Sequence, residues 1–296
     1  MRRINSITAV LAVAATLLTG SVFAAEKAMT SDQIYQSIMN RIDSIEQSSP
    51  KAQAEAFKLR EDVEKLYDRL LVGDREATRQ MSQNIDRENS SDIFACCKGL
   101  KGDELRKKLL SLIKNHYCIG YQGAQDAVFE DVDNRDGWVE CVYTGRKLKT
   151  DKEPPATNMN IEHSWPQSKG AEGTAKADLH HLFPADAKAN GRRGNFPFGM
   201  VSDANAKWAE GGSKLGNGIF EVRKEQRGNT ARGMFYFAVR YDMQIDGKQE
   251  KVLRQWHKED PVDELERKRN DRIENYQHNR NPFVDHPEFV DMIEDF

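Results

Sequence analysis

Apolar positions recur at helical spacing in two stretches near the start of the chain. Ile34, Ile38, Ile42 and Ile45 follow a Ser31/Asp32 cap, and Leu59, Val63, Leu66 and Leu70 repeat the pattern after a break at Ser48-Ser49-Pro50. The remaining faces are charged. The pattern predicts a helical extension over residues 25–90, folded as an antiparallel, coiled-coil-like hairpin. Two readings fit it: a homodimerising or partner-binding module using residues 30–90, or, more simply, an extension that packs on its own domain. A third helix is predicted over 103–116, with Leu105, Leu109, Leu110 and Ile113 on one side. The acidic run DVDNRDG (131–137) is read as a polar turn leading into a strand over 138–143. As a calcium loop it would place Val132 first and Tyr143 twelfth, and neither side chain carries a carboxylate.

The extreme N-terminus has a different pattern. Arg2 and Arg3 precede an almost wholly apolar stretch over 7–18, and Val22-Phe23-Ala24 offers small residues at the two positions that a signal peptidase reads. This is the layout of a cleavable export signal spanning residues 1–24, with cleavage after Ala24. The expected location is therefore periplasmic or secreted. No later apolar run is long enough to span a bilayer, so no membrane association is expected after cleavage. Export also changes how the four cysteines read. Cys96, Cys97, Cys118 and Cys141 are even in number, which favours two disulfides. Adjacent cysteines rarely bond each other, so Cys96 and Cys97 are each expected to pair with Cys118 or Cys141.

The 296 residues carry a formal charge of -3 with 31% charged side chains, and 13 Phe, 8 Tyr and 4 Trp remain to build a core. That balance excludes a uniformly basic nucleic-acid coat but allows a local basic cleft. One segment supplies it. Residues 162–232 hold eleven Lys/Arg against eight Asp/Glu, and 160–199 concentrates His163, His180 and His181 with Glu162, Asp178, Asn190, Arg192 and Arg193. Phosphodiester hydrolysis needs these side-chain types. A histidine suits deprotonation of water near neutral pH. Carboxylate and amide oxygens suit a hard divalent ion, and arginine suits phosphate. Glu162 and His163 would face opposite sides of a strand, so both reach one site only where the strand ends or bends. Asn190 is expected on a helix starting near Pro184-Ala185-Asp186.

The chain resembles the endonuclease I family, exported sequence-nonspecific nucleases of the His-Me finger (ββα-metal) superfamily. The matching stretches run in order: VYTGR (142–146), NIEHSWPQS (160–168), DLHHLFPAD (178–186), NGRRGNFPFG (190–199), ARGMFYFAVRYD (231–242), WHKEDPVDELERKRNDRI (256–273) and NRNPFVDHPEFV (279–290). The resemblance covers about residues 100–295, so the catalytic domain is placed at 91–296 and the helical extension lies outside it. It implies an α+β fold in which a His-Me finger core is embedded in a largely helical domain. It implies His163 as general base, Glu162 and Asn190 as ligands of one divalent cation (Mg²⁺, with Mn²⁺ or Ca²⁺ as alternatives), and Arg193 as a phosphate contact. The products would be 5′-phosphate and 3′-hydroxyl ends on DNA, and on RNA. The segment between EHSWP and DLHHL is short here, whereas some relatives carry an insertion whose Arg assists the phosphate. Arg193, Arg192 and Arg232 are the candidates for that role. Lys176 stands where some relatives have a Glu.

Two other classes compete with this reading. One is a non-catalytic exported binder of nucleic acid or protein that works through the helical hairpin. The other is a zinc hydrolase built on His163, His180 and His181, which lacks an H-E-x-x-H helix. His180 and His181 are more simply read as supports of the finger, and Trp165 and Phe183 as core.

Overall fold

The computed structural model describes residues 92–296 and, before them, position 63 alone. The expected signal peptide and, apart from that one position, the helical extension lie outside the described residues. The fold is α+β: small antiparallel sheets set among helices. Among the described residues no helix is long and apolar enough to cross a membrane.

Helix α1 (Gly102–Ile113) buries Leu105, Leu109 and Ile113, one face at i, i+4 and i+8, and places Asp103 and Glu104 in its first turn, where the helix dipole favours negative charge. It ends three residues before the expected limit, and Leu110 is only half-buried. Helix α2 (Tyr121–Ala127) widens into a π-type turn over Val128–Val132. The predicted polar turn is the tip of a hairpin. Strands β1 (Asn134–Arg135) and β2 (Trp138–Glu140) pair through Arg135↔Trp138. Asp136 and Gly137 between them both have positive φ, as a two-residue type I′ loop requires. β2 stops at Glu140 rather than Tyr143, because 142–144 turn the chain into β3 (Lys147–Lys149).

Strand β4 (Met159–His163) pairs antiparallel with β5 (Leu182–Asp186), aligning Glu162 with Phe183 and His163 with Leu182. Pro184 and Ala185 belong to this strand and do not open the next helix, α3 (Ala187–Arg193). Asp186 caps α3 by accepting from Lys188 N (2.9 Å) and Ala189 N (3.2 Å). Strands β6 (Trp208–Glu210), β7 (Ser213–Gly216) and β8 (Ile219–Glu221) form a meander.

Four further helices and a short final one complete the chain. They are α4 (Arg227–Arg240), α5 (Gly247–Glu259), α6 (Glu264–Gln277), α7 (Pro282–Asp285) and α8 (Phe289–Met292). Helix α4 is buried along nearly its whole length and forms the centre of the core. Phe237 on α4 stacks on Trp165 (4.8 Å between ring centroids), and Phe235 packs on Phe283 and Phe296. Gly233 lets α4 approach the segment ahead of β5: a Cβ there would lie 3.0 Å from the His180 carbonyl oxygen.

The structure draws no disulfide among Cys96, Cys97, Cys118 and Cys141, against the expectation of two. Cys141 Sγ instead accepts backbone N–H groups from Asp186 (3.0 Å) and Thr144 (3.4 Å), tying the end of β2 to the cap of α3. Burial, followed by the neighbouring Cys96, pushes the Cys97 thiol up to about 11.

Beneath α4 the core is polar and fully paired at Asp178. It accepts from Tyr236 and Tyr241 hydroxyls (2.9 Å each), Gln277 Nε2 (3.0 Å) and His180 N (3.1 Å). Burial alone would raise its pKa, but His116, His180, His181 and the Gln277 donor hold the carboxyl below its usual range. Burial also lowers His180 and His181 to about 4. These histidines are neutral when folded and protonate near 6.5 when unfolded. Their contribution is intact above pH 6.5 and is lost as pH falls toward 4, at an order of 3 kcal/mol each. The Asp178 contribution is lost only below pH 4. Urea denaturation at pH 7 and pH 5 is therefore expected to give a lower midpoint at pH 5. Equal midpoints would contradict neutral burial of this pair.

Candidate active site

The pairing of β4 with β5, followed directly by α3, brings four of the singled-out side chains to one place. Glu162 and His163 stand at the C-terminal end of β4, and Asn190 and Arg193 lie on α3, which packs on both strands. Both residues still lie within β4, so the two neighbouring side chains diverge, against the expectation that the strand end would turn them to one side. Glu162 turns toward α3 and Tyr143, whereas His163 turns toward the segment 167–181.

Glu162 is 2% exposed. Arg193 Nη1 lies 3.0 Å from its Oε1, yet off the line of a hydrogen bond, so this buried carboxylate oxygen has a Coulombic partner and receives no hydrogen bond. Burial raises its pKa, and Arg193 and the adjacent Tyr143 hydroxyl oppose that rise. Asn190 Nδ2 donates to Asn160 Oδ1 (2.8 Å) and to the Ile161 carbonyl (3.0 Å). Both amide hydrogens are then engaged, and the amide oxygen is the atom left for a ligand. A carboxylate oxygen without a hydrogen bond on β4 and an amide oxygen on α3, the helix packed against it, are the donor types that a hard divalent cation takes. The residues present therefore fit such an ion chemically.

His163 is held by its surroundings in one tautomer. Its Nε2 lies 3.0 Å from the Lys176 carbonyl, which can only accept, so Nε2 carries the hydrogen. Nδ1 then holds the lone pair, and Gln167 Nε2 lies 3.4 Å from it. The ring sits between Tyr121 (5.5 Å between centroids) and His181 (5.4 Å). Burial, then His181, lowers its pKa to about 3, so the ring is neutral at ordinary pH. Lys176 Nζ stands over the Tyr121 ring at 4.7 Å, and that ring packs on His163.

The arginine candidates separate sharply. Arg193 is 2% exposed and donates to the main-chain carbonyls of His163 (3.0 Å), Ser164 (2.7 Å) and Gly194 (3.2 Å), with its guanidinium over the Phe198 ring. Arg192, its neighbour, is exposed on the last turn of α3. Arg232 lies elsewhere: wholly buried on α4, it pairs with Glu266 on α6 (2.6 and 2.5 Å) and donates to the Asp260 carbonyl. A guanidinium so enclosed has no face for a phosphate, which removes Arg232 as a candidate on grounds of access.

His180 and His181 are both buried. His181 Nε2 donates to the Ala175 carbonyl (2.7 Å) and its ring packs on Phe237, while the His180 ring packs on Tyr236. Among the described residues no three His, Cys, Asp or Glu side chains form a metal-holding group, so the zinc reading finds no cage. Three contributors escaped the sequence reading. A main-chain carbonyl such as that of Lys176 leaves no sequence signature. Gln167 is a polar residue on an exposed turn, and Tyr143 is an aromatic residue at the end of the predicted strand, with no local sign of its nearness to Glu162.

The sequence model of the endonuclease I family matches residues 101–288. The chain is 39% identical over 229 residues to an extracellular ribonuclease of Bacillus subtilis (strain 168), covering 69% of this chain and 79% of the relative. It is 33% identical to an extracellular ribonuclease of Bacillus amyloliquefaciens, over 77% of this chain and 88% of that one. A periplasmic deoxyribonuclease of Aeromonas hydrophila is 27% identical over 61% of this chain and 84% of its own length. The matched region contains β4, β5 and α3 with all four clustered side chains, and on that match the chain belongs to the endonuclease I family, hydrolases that act as nucleases.

Proposed function

We propose that the chain is an exported, sequence-nonspecific endonuclease that hydrolyses phosphodiester bonds of DNA and RNA with a divalent cation. The observation that carries this reading is the tautomer of His163: a neutral imidazole whose Nε2–H is tied to the Lys176 carbonyl and whose Nδ1 keeps the lone pair, on the same ββα unit that carries Glu162 and Asn190. That unit is the His-Me finger of the proposal, formed by β4, β5 and α3.

His163 Nδ1 takes a proton from water, and the water oxygen attacks phosphorus as the bond to the 3′ oxygen breaks; that oxygen takes up a proton from solvent. The products are a 5′-phosphate and a 3′-hydroxyl. Glu162 and Asn190 would hold the cation, Mg²⁺ in the first instance and Mn²⁺ or Ca²⁺ as substitutes. When bound, it neutralises charge on the phosphate and the leaving oxygen. Arg193 holds the ends of β4 and α3 in register through the His163 and Ser164 carbonyls. Arg192, exposed one residue earlier, is the arginine placed to meet a phosphate from solvent. Contacts confined to phosphate and metal carry no sequence information, which agrees with nonspecific cutting.

RNA enters beside DNA because the relatives at 39% and 33% identity are named ribonucleases, while others are named deoxyribonucleases. The relatives are named as extracellular and periplasmic enzymes, which supports export of this chain; the signal is removed after Ala24 in this reading. Mass spectrometry of the exported protein would give a mature chain starting at Ala25.

The test is incubation of the purified mature protein with supercoiled plasmid and, separately, with RNA, with Mg²⁺ or with EDTA. Nicking that requires the cation is the expected result. A folded protein that cuts neither polymer with Mg²⁺, Mn²⁺ or Ca²⁺ would overturn the proposal in favour of a binding module. Asn190→Ala is expected to shift the Mg²⁺ titration to higher concentration and to lower the rate with it. An unchanged titration would remove Asn190 from the ligand set.

A further inference from the structure

The three-stranded sheet β1–β2–β3 presents an outward face that the catalytic reading does not use. Trp138 on β2 is 46% exposed, an unusual placement for an indole in a folded core domain. The register sets Arg135 of β1 and Lys149 of β3 directly across from it, so one row reads Arg135–Trp138–Lys149 over three adjacent strands. Residues two apart on a strand share a face. The next row on this face is therefore Glu140 with Lys147. Arg135, Trp138, Lys147 and Lys149 are all exposed. Together Arg135, Asp136, Trp138, Val139, Glu140 and Lys147 line an open groove of about 350 Å³.

The charges in the groove favour an anion. Glu140 is already compensated, because the Arg223 guanidinium is bonded to its Oε1 and Lys147 Nζ lies 3.7 Å from its Oε2. The other acid on the rim is Asp136, at the tip of the hairpin. Against it stand Arg135, Lys147 and Lys149. A flat indole with a cation on either side, about 5 Å away across antiparallel strands, matches a base with its flanking phosphates. An acidic peptide would meet the cations but would leave the exposed ring without a π-face to stack on. A duplex keeps its base faces covered by stacking, so the fit is to an unpaired strand.

The groove is also connected to the catalytic cluster. Five residues along the chain from Trp138, Tyr143 is buried beside Glu162, so at most roughly 18 Å of backbone separates the two positions. Val142 N donates to the Pro184 carbonyl of β5 at 3.0 Å, which joins this sheet to the β4–β5 pair.

We propose that the outer face of β1–β2–β3 is a subsite for single-stranded nucleic acid. Trp138 stacks one base a few nucleotides from the scissile phosphate, and Arg135, Lys147 and Lys149 hold the neighbouring phosphates. The proposal rests on the nuclease reading and adds a preference for unpaired strands.

The test uses the mature protein and its Trp138→Ala variant with a 20-nucleotide single-stranded DNA. In Mg²⁺ the variant is expected to show a KM raised roughly tenfold at unchanged kcat, within what the loss of one stacked base produces. A dinucleotide, too short to reach the groove, should be cut equally by both. In EDTA, where binding is read without cleavage, the oligonucleotide should quench tryptophan fluorescence in the wild type and less in the variant. The double variant Arg135→Gln/Lys149→Gln should flatten the salt dependence of binding by the equivalent of about two phosphates. Equal KM and equal quenching in wild type and Trp138→Ala, with matching thermal midpoints, would overturn the subsite while leaving the nuclease reading intact. Failure of the wild type itself to bind or cut would instead count against the nuclease reading.

Discussion

Replacing His163 by alanine is expected to slow phosphodiester cleavage by about 10²–10⁴-fold, the range over which a positioned general base acts. The argument rests on one nitrogen. The Lys176 carbonyl, 3.0 Å from Nε2, fixes the hydrogen there and leaves Nδ1 as the only basic atom of the ring. Alanine removes that atom and leaves Glu162, Asn190 and the exposed Arg192 in place. Binding of uncut plasmid in EDTA should therefore persist. Single-turnover rates at saturating Mg²⁺ give the measurement, at a temperature where circular dichroism shows the variant folded. That check is needed because the ring also fills space between Tyr121 and His181. Turnover close to that of the wild type would remove His163 as the base.

Arg193→Ala should produce the largest loss of stability, roughly 3–5 kcal/mol, the cost typical of breaking a buried ion pair from one side. Both partners are 2% exposed. Without the guanidinium, Glu162 is left buried next to Tyr143 with no positive charge, and the carbonyls of His163 and Ser164 lose their donors. Arg193→Lys keeps the charge but cannot bridge two carbonyls at once, so an intermediate loss is expected. Urea denaturation of the three proteins, without Mg²⁺, reads this directly. The resemblance to the family implies a different role for the same residue, contact with the substrate phosphate. Under that role Arg193→Ala would leave the urea midpoint unchanged and raise KM. The two outcomes are mutually exclusive, and the observed hydrogen bonds favour the first.

The α1 helix and the turn before β2 were legible from local chemistry. Leucines four apart and an Asp-Gly pair each act within a few residues. The expectations failed at element ends. β2 is cut short because residues 142–144 turn the chain back toward β3, where Val142 N donates to the Pro184 carbonyl of β5. Pro184 lies in β5 rather than in a helix because it pairs opposite Ile161. Pro184 has no N–H to give the ladder, yet its carbonyl still accepts from Val142.

At the site, residue types and spacing were sufficient to single out Glu162, His163, Asn190 and Arg193. They sit in compact motifs, and phosphodiester chemistry needs those groups. Tertiary packing settled which atoms are available. It placed a carbonyl thirteen residues away against His163 Nε2, enclosed Arg193 and Arg232 in buried pairs, and left Arg192 in solvent. The row Arg135–Trp138–Lys149 likewise exists only once three strands are in register. A sequence specifies side-chain chemistry residue by residue, whereas exposure, tautomer and charge pairing depend on atoms that only the folded chain brings together.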